Sequence, residues 1–337
     1  MSGSALSLAL IALVFAALLT ASAIPVTYPL LVKYALAKPN ARSSHQVPTP
    51  QGAGIAVIAA TLIATSTLIW PTPGREIPTL VLAATLFIAA VGFADDLRPI
   101  PILPRLALQS VAVAAVLFGV PAELRLVPAC PLLLERSLIL LAGLWFVNLV
   151  NFMDGLDWMT AAEMVPVTSA IVILGLNSDL PVEVTIAAGA LCGAMLGFMP
   201  FNRPKAKVFL GDVGSLPIGL LVGWCLLELA YHVQFVAALL LPLYYLADAT
   251  LTLLRRMLRR EEFWSAHRSH FYQKATDNGF TVMQVVSRVF TLNVLLAALA
   301  VASTTVRSSA VAIFCLVAGF LAVAFVIRSF ARPSQPI

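Results

Sequence analysis

The chain has 337 residues, 60% of them hydrophobic and only 11% charged, with a mean hydropathy of +0.95. Soluble domains carry about 25% charged residues, so composition excludes a soluble globular domain, a disordered tail and a nucleic-acid binder. The net charge of +5 then reads as basic loops on one side of a membrane.

Continuous apolar runs of about 20 residues point to α-helical spans, not to the short alternating segments of a membrane β-barrel. Eleven such segments follow in chain order: Leu6–Leu31, Gly54–Trp70, Ile77–Ala94, Leu106–Val120, Ser137–Val150, Ala161–Leu176, Val184–Phe201, Val213–Leu229, Val233–Leu254, Val289–Thr305 and Ala310–Ile327. The first contains Ala21-Ser22-Ala23, which resembles a signal-peptide cleavage site. No Lys or Arg precedes it and the run is too long for a signal core, so a retained helix is expected. Cys130, Cys192, Cys225 and Cys315 lie far apart, mostly within apolar runs. Buried thiols are expected, with neither a disulfide framework nor a metal spacing. No linker or internal repeat interrupts the chain, so residues 1–337 are read as one all-α, polytopic transmembrane domain.

If the first helix runs from outside to inside, seventeen of the 21 Lys and Arg residues, Lys38 and Arg42 among them, fall in the odd-numbered loops and the C-terminus. Only Arg75, Arg125, Arg136 and Arg307 fall on the other side. This is the positive-inside pattern. The polar segments obey the same division. His45–Gly54 (HQVPTPQGAG), Phe93–Arg105 (FADDLRPIPILPR), Asn148–Met159 (NLVNFMDGLDWM), Asn202–Ser215 (NRPKAKVFLGDVGS) and Arg255–Gln273 (RRMLRREEFWSAHRSHFYQ) occupy loops one, three, five, seven and nine. An acidic residue costs about 2.5–3.5 kcal/mol at a helix centre. Five polar segments on one face therefore predict one composite site at the cytoplasmic membrane surface.

Asp95 and Asp96 are adjacent, and Asn151, Asp154 and Asp157 recur every third residue, a spacing that shares a face if the stretch is helical. Asp212 opens the eighth segment, where Gly211, Gly214 and Ser215 resemble an anion seat at a helix start. Oxygen ligands suit a hard cation, Mg²⁺ before Mn²⁺, and the cations suit phosphate. Together these are the parts of a phosphoryl-transfer site. Taken singly, each has a plainer reading. Lys205, Lys207 and Arg255–Arg260 set topology, Arg105 snorkels, and His267 and His270 alone do not make a zinc site. His232 is incidental, and Glu163, Glu228 and Asp248 are assigned to helix packing.

The succession PTPQGAGIA, GFADDL, NLVNFMDGLD, FLGDVGS and AHRSHFYQ, over about residues 43–285, resembles the polyprenyl-phosphate N-acetylhexosamine-1-phosphate transferases. The resemblance implies transfer of a UDP-linked N-acetylhexosamine 1-phosphate to polyprenyl (undecaprenyl) phosphate, with release of UMP and a requirement for Mg²⁺. It implies catalytic roles for Asp95, Asp96 and Asp212, with Asn151 and Asp212 as metal ligands. Phe209 matches an aromatic that stacks on uracil, with Asp154, Gly155 and Asp157 nearby. Arg105 falls near a position that meets the diphosphate, and His267, Arg268 and His270 lie in the loop that touches diphosphate and sugar. The chain departs at Trp158 and at Ala53, where the family has glycine, and it reads HRSH where the peptidoglycan enzyme has three histidines.

That departure places it nearer the O-antigen or exopolysaccharide branch than the phospho-N-acetylmuramoyl-pentapeptide transferases, in the inner (plasma) membrane of a bacterium, with assembly as a homodimer left open. A secondary transporter is the competing class, but its ion sites would lie near the midplane between repeats. A CDP-alcohol phosphotransferase would need a different aspartate signature. The orientation is directly testable. In a Cys-free background, a cysteine at Ala206 should be shielded from impermeant thiol reagents in intact cells, and one at Gly74 should react.

Overall fold

The computed structural model describes residues 2–37, 47–70, 78–262, 267–306 and 308–333. Lys38, Arg42, His45, Arg75, Phe263, Trp264 and Arg307 lie outside them. The described residues form α1 (Ser2–Tyr34), a two-residue ribbon of β1 (Leu36–Ala37) and β2 (Thr49–Pro50), α2 (Gly54–Ile69), α3 (Thr79–Leu97), α4 (Ile102–Phe118) and α5 (Leu132–Met153). Then follow α6 (Met159–Leu176), α7 (Val182–Phe198), a 3₁₀ turn (Met199–Phe201), α8 (Asp212–His232), α9 (Phe235–Leu240), α10 (Leu243–Leu258), α11 (Phe271–Asp277), α12 (Val282–Thr305) and α13 (Ser309–Phe330). The molecule is all-α and polytopic, as its hydropathy requires.

Eight helices are long and apolar enough to cross a membrane: α1, α3, α5, α6, α7 with its 3₁₀ extension, α8, α12 and α13. The other three expected spans differ. The 16-residue α2 and 17-residue α4 are short against a hydrocarbon core of about 30 Å at 1.5 Å per residue. The ninth apolar run is not one helix. It breaks at Leu241–Pro242 into α9 and α10, because Pro242 has no N–H and its ring crowds the preceding turn. The antiparallel ribbon, with Leu36 opposite Pro50 and Ala37 opposite Thr49, was not evident from hydropathy.

The centre of the bundle is α6, α7 and α8, which are mostly buried; α1 and α13, mostly exposed, form the rim. Large side chains such as Leu10, Ile11, Phe314 and Phe325 are exposed on that rim, as a lipid-facing surface should be. Lipid is as apolar as leucine, so helices in a membrane associate by close packing of small residues. Gly189, Gly193 and Gly197 on α7 supply it: a Cβ there would lie 2.7, 1.9 and 2.4 Å from the carbonyl oxygens of Ala9, Leu13 and Ala17 on α1. Glu163, 0% exposed, takes a 2.6 Å hydrogen bond from the Asn293 amide of α12, consistent with a packing role.

Gly193→Ala should therefore push α1 off α7. We expect a loss of about 1–3 kcal/mol, the usual cost of overpacking, read as a lowered thermal midpoint in detergent. Leu10→Ala, on the lipid face, should stay within about 0.5 kcal/mol of the parent.

Candidate active site

The described parts of the five polar segments meet at one end of the bundle, and the meeting point is the start of α8. Gly211 takes φ +77°, which turns the chain so that the first amides of α8 point outward, unsatisfied within the helix. The Asp96 carboxylate at the end of α3 accepts both, from Asp212 N and Val213 N at 3.0 Å each. The anion seat expected at Gly211–Ser215 thus exists, but Asp96 fills it from within the chain, while the amides of Gly214 and Ser215 turn back to the Gly211 carbonyl. Gly92 on α3 permits the approach, since a Cβ there would lie 2.3 Å from the Asp212 carbonyl oxygen. The first polar segment locks onto the same joint. The Gln51 amide donates to the Asp96 carbonyl at 3.1 Å, Phe209 N donates to Pro50 O at 2.8 Å, and the amides of Gly52 and Ala53 donate to Phe209 O. Ala53 sits at φ −58°, so this position needs no glycine.

Around the joint lie the other acidic and amide groups. Asp95 pairs with Arg105 at 2.8 Å, so Arg105 does not merely snorkel, and the carboxyl groups of Asp95 and Asp212 lie close enough to perturb each other. Asn151, near the end of α5, donates its NH₂ to Asp212 Oδ1 at 2.7 Å and Ser215 Oγ at 2.9 Å. Its Oδ1 is the atom left to offer a cation. Among the described residues, no three His, Cys, Asp or Glu are gathered into a ready cage. Asp212, Asp95 and Asn151 form instead an oxygen-only set that fits Mg²⁺, an ion that takes one or two carboxylates and fills its shell from phosphate and water.

The DGLD turn is not helical. The α5 helix ends at Met153, and Asp154 is its cap residue, so the third-residue spacing does not put Asn151, Asp154 and Asp157 on one helix face. Asp154 accepts from the Thr160 hydroxyl. Burial, with the Asp96 and Asp157 charges adding and the Thr160 bond opposing, pushes its carboxyl up to about 7. Gly155 faces α11: a Cβ would lie 2.2 Å from the Tyr272 hydroxyl, which donates to the Phe152 carbonyl at 2.9 Å and so serves the end of α5. Asp157 accepts the amides of Lys205 and Ala206 at 2.9 and 3.1 Å. Trp158 lies at φ +65°, the left-handed region that favours glycine. The backbone at Trp158 is thus one that the expected glycine would adopt without strain.

The HRSH segment is extended, not helical, since α11 starts only at Phe271. His267 and His270 nevertheless stack, with ring centroids 5.0 Å apart. Burial, with His270, Arg256 and Lys274 adding, lowers His267 to about 4. It is therefore a neutral ring near pH 7, bonded to Ser269 Oγ at 2.9 Å. Arg268 turns away to Asp277 at 3.0 Å and Thr276 at 3.1 Å. What fixes the segment is Asp248, 0% exposed on α10. It accepts from His270 Nδ1 at 3.2 Å, Phe271 N at 3.0 Å, Tyr272 N at 3.1 Å, the Tyr244 hydroxyl at 3.1 Å and the Thr252 hydroxyl at 3.3 Å. The packing role expected of Asp248 is thus the docking of α11 and His270. An acid inside an apolar run is a functional signal by default, and that signal was present in the sequence.

The fold and site define an all-helical multi-pass membrane protein whose acidic groups gather at helix ends, an arrangement suited to phosphoryl chemistry. Residues 78–230 match Glycosyl transferase family 4. Over 293 residues the chain is 30% identical to a decaprenyl-phosphate N-acetylglucosaminephosphotransferase of Mycobacterium leprae (strain TN), spanning 76% of this chain and 73% of that one. Over 295 residues it is 28% identical to a phospho-N-acetylmuramoyl-pentapeptide-transferase of Rhodopseudomonas palustris (strain BisA53), spanning 74% and 78%. The chain belongs to this family and is a polyprenyl-phosphate sugar-1-phosphate transferase.

Asp248→Asn keeps the shape but replaces one acceptor oxygen with a donor that faces other donors. The unmatched group should cost about 1–3 kcal/mol and undock α11. Tryptic cleavage after Arg268 and Lys274 should accelerate, and transferase activity should fall with it.

Proposed function

We propose that this enzyme transfers the sugar 1-phosphate of a UDP-N-acetylhexosamine to undecaprenyl phosphate at the cytoplasmic face of a bacterial plasma membrane. A phosphate oxygen of the lipid attacks the phosphorus that carries the sugar, the bond from that phosphorus to the UMP oxygen breaks, and UMP leaves. The product, a polyprenyl-diphospho-sugar, would begin an envelope glycan such as O-antigen or exopolysaccharide. The observation that carries this reading is the meeting of Asp95, Asn151 and Asp212 where α3, α5 and α8 end or begin.

Asp212, Asp95 and Asn151 are the residues proposed to hold Mg²⁺, which supplies charge neutralisation for the diphosphate when bound. Of the aspartate pair, Asp96 commits both oxygens to α8 and acts by positioning Asp212. Asp95, its side chain 6% exposed and accepting from Ile100 N at 2.5 Å and from Arg105 at 2.8 Å, is assigned to the lipid phosphate through Arg105, whose guanidinium can turn to phosphate oxygens. Phe209, beside the joint, is the candidate for the uracil, with Asp154, Gly155 and Asp157 on the facing turn. His267 and His270 border the same end, and as a neutral ring His267 offers a hydrogen bond, not a charge. Arg268, held on Asp277 and Thr276, would have to exchange those partners to reach a diphosphate.

The similarity to a phospho-N-acetylmuramoyl-pentapeptide-transferase favours a second reading, in which the nucleotide carries a muramoyl-peptide. The HRSH segment argues for the first. Purified protein with undecaprenyl phosphate and a panel of UDP-sugars, followed by UMP release, decides between them. We expect turnover of a UDP-N-acetylhexosamine, loss of activity on chelation with recovery on Mg²⁺ or Mn²⁺, and a drop of about 10²-fold or more in Asp212→Asn. Efficient use of the pentapeptide-bearing nucleotide would overturn the branch. Full activity in chelator would overturn the metal.

A further inference from the structure

Among the described residues, three that are not glycine have positive φ: Trp158 at 65°, Lys205 at 69° and Arg260 at 57°. The first two lie on segments that are joined next to Trp158, where the Lys205 amide donates to Asp157 Oδ2. A bulky side chain in the left-handed region is a real outlier, and such strain persists only where the surroundings over-determine it. Here they do. Trp158 N donates to Asn202 Oδ1 at 2.8 Å, and its indole N–H donates to the Met199 carbonyl at 2.7 Å. Asn202, 7% exposed, spends its NH₂ on the Val208 carbonyl at 3.0 Å. Asp157 holds the amides of Lys205 and Ala206. The dipeptide Asp157–Trp158 thus makes four hydrogen bonds to the segment 199–206. That segment runs directly into Phe209, itself fixed on Pro50.

We infer that Trp158 is a positioning residue for the nucleotide-sugar: with Asp157 and Asn202 it clasps the segment 199–208 to the DGLD turn and so presets the wall that receives the nucleotide. This rests on the reading of UDP-sugar as substrate. A preset wall saves the cost of ordering that segment when the ligand binds, so the clasp acts on nucleotide affinity and not on the lipid or on the chemical step. The indole adds the bond to Met199 to the three that Asn202 and Asp157 would still make if position 158 were glycine.

The test uses the full-length protein in detergent with UDP-N-acetylglucosamine and undecaprenyl phosphate, comparing Trp158→Gly, Trp158→Phe, Asn202→Ala and the Trp158→Gly/Asn202→Ala double variant. Trp158→Gly and Asn202→Ala should each raise KM for the UDP-sugar about tenfold, with kcat and KM for the lipid changed by less than about threefold. The double variant should be no worse than the poorer single, as members of one clasp are not additive. Trp158→Phe, which keeps a ring but loses the N–H, should fall between. UDP alone should perturb the tryptophan fluorescence of the wild type, and Trp158→Phe should lose that perturbation. UMP release with a KM for UDP-sugar untouched by both single variants would overturn the clasp alone. So would a fall of kcat with both KM values unchanged and a lowered thermal midpoint, the mark of mere misfolding. No UMP from any UDP-sugar, with Trp158-dependent UDP binding retained, would overturn the proposed reaction and leave the clasp standing.

Discussion

The two hydrogen bonds from the amides of Asp212 and Val213 to the Asp96 carboxylate hold this end of the molecule together. A helix that begins near a membrane surface presents four amides without partners and a partial positive charge. Water satisfies such an end poorly where other helices crowd it. A carboxylate satisfies two amides at once and places negative charge where the dipole favours it, and charge-assisted bonds of this kind are about twice as strong as neutral ones. Because Asp96 ends α3 and Asp212 begins α8, the same bonds fix the relative height of two helices. The positions of Asn151, Ser215 and Gln51 then follow, since each bonds to Asp212 or to Asp96 or, for Ser215, through Asn151.

That constraint was only partly legible in the residues. Asp95 and Asp96 are equivalent as text, and either could be the free acid. Only the tertiary contact separates them, one turned to Arg105 and the other to α8. The apolar segments were legible because hydropathy is a property of the run itself. The break at Pro242 was not, since Pro25, Pro29, Pro166 and Pro217 sit inside continuous helices of the same chain. Whether a proline bends or breaks a membrane helix depends on which neighbours satisfy the freed backbone, and no local pattern states that. Spacing misled in the DGLD turn for a related reason. A period of three describes a helix face only while the helix lasts, and α5 stops before Asp154.

Asp248 shows the opposite case, a residue whose signal was present and whose partner was distant. An acid in an apolar run must be paid for, and the compensation comes from a segment more than twenty positions on, His270 to Tyr272. Five donors converge on one carboxylate, and the break before α10 gives the bundle the helix on which Asp248 rides. The broken ninth segment and the ordered HRSH segment are therefore one device. The first carries the acceptor that the second needs to fold back over the end of α5.

Charge balance then separates the enzyme from the transporter on physical grounds. Asp95, Asp96, Asp154 and Asp212 act on one another electrostatically, and among the described groups Arg105 is the cation that pairs directly with any of them. Two unit charges 4 Å apart interact by about 4 kcal/mol at an effective dielectric of 20, so such a group strongly favours a bound cation or a proton. A transporter would place these groups at mid-depth, where an ion could be exposed to either side in turn. Here they stand at the last turn of α3, just past the end of α5 and at the first residue of α8. At that depth a cation can be shared with a phosphate that stays at the surface while its lipid tail remains in the bilayer. Acidic groups at helix ends, and not at mid-depth, suit an enzyme whose phosphate-bearing lipid stays in the bilayer.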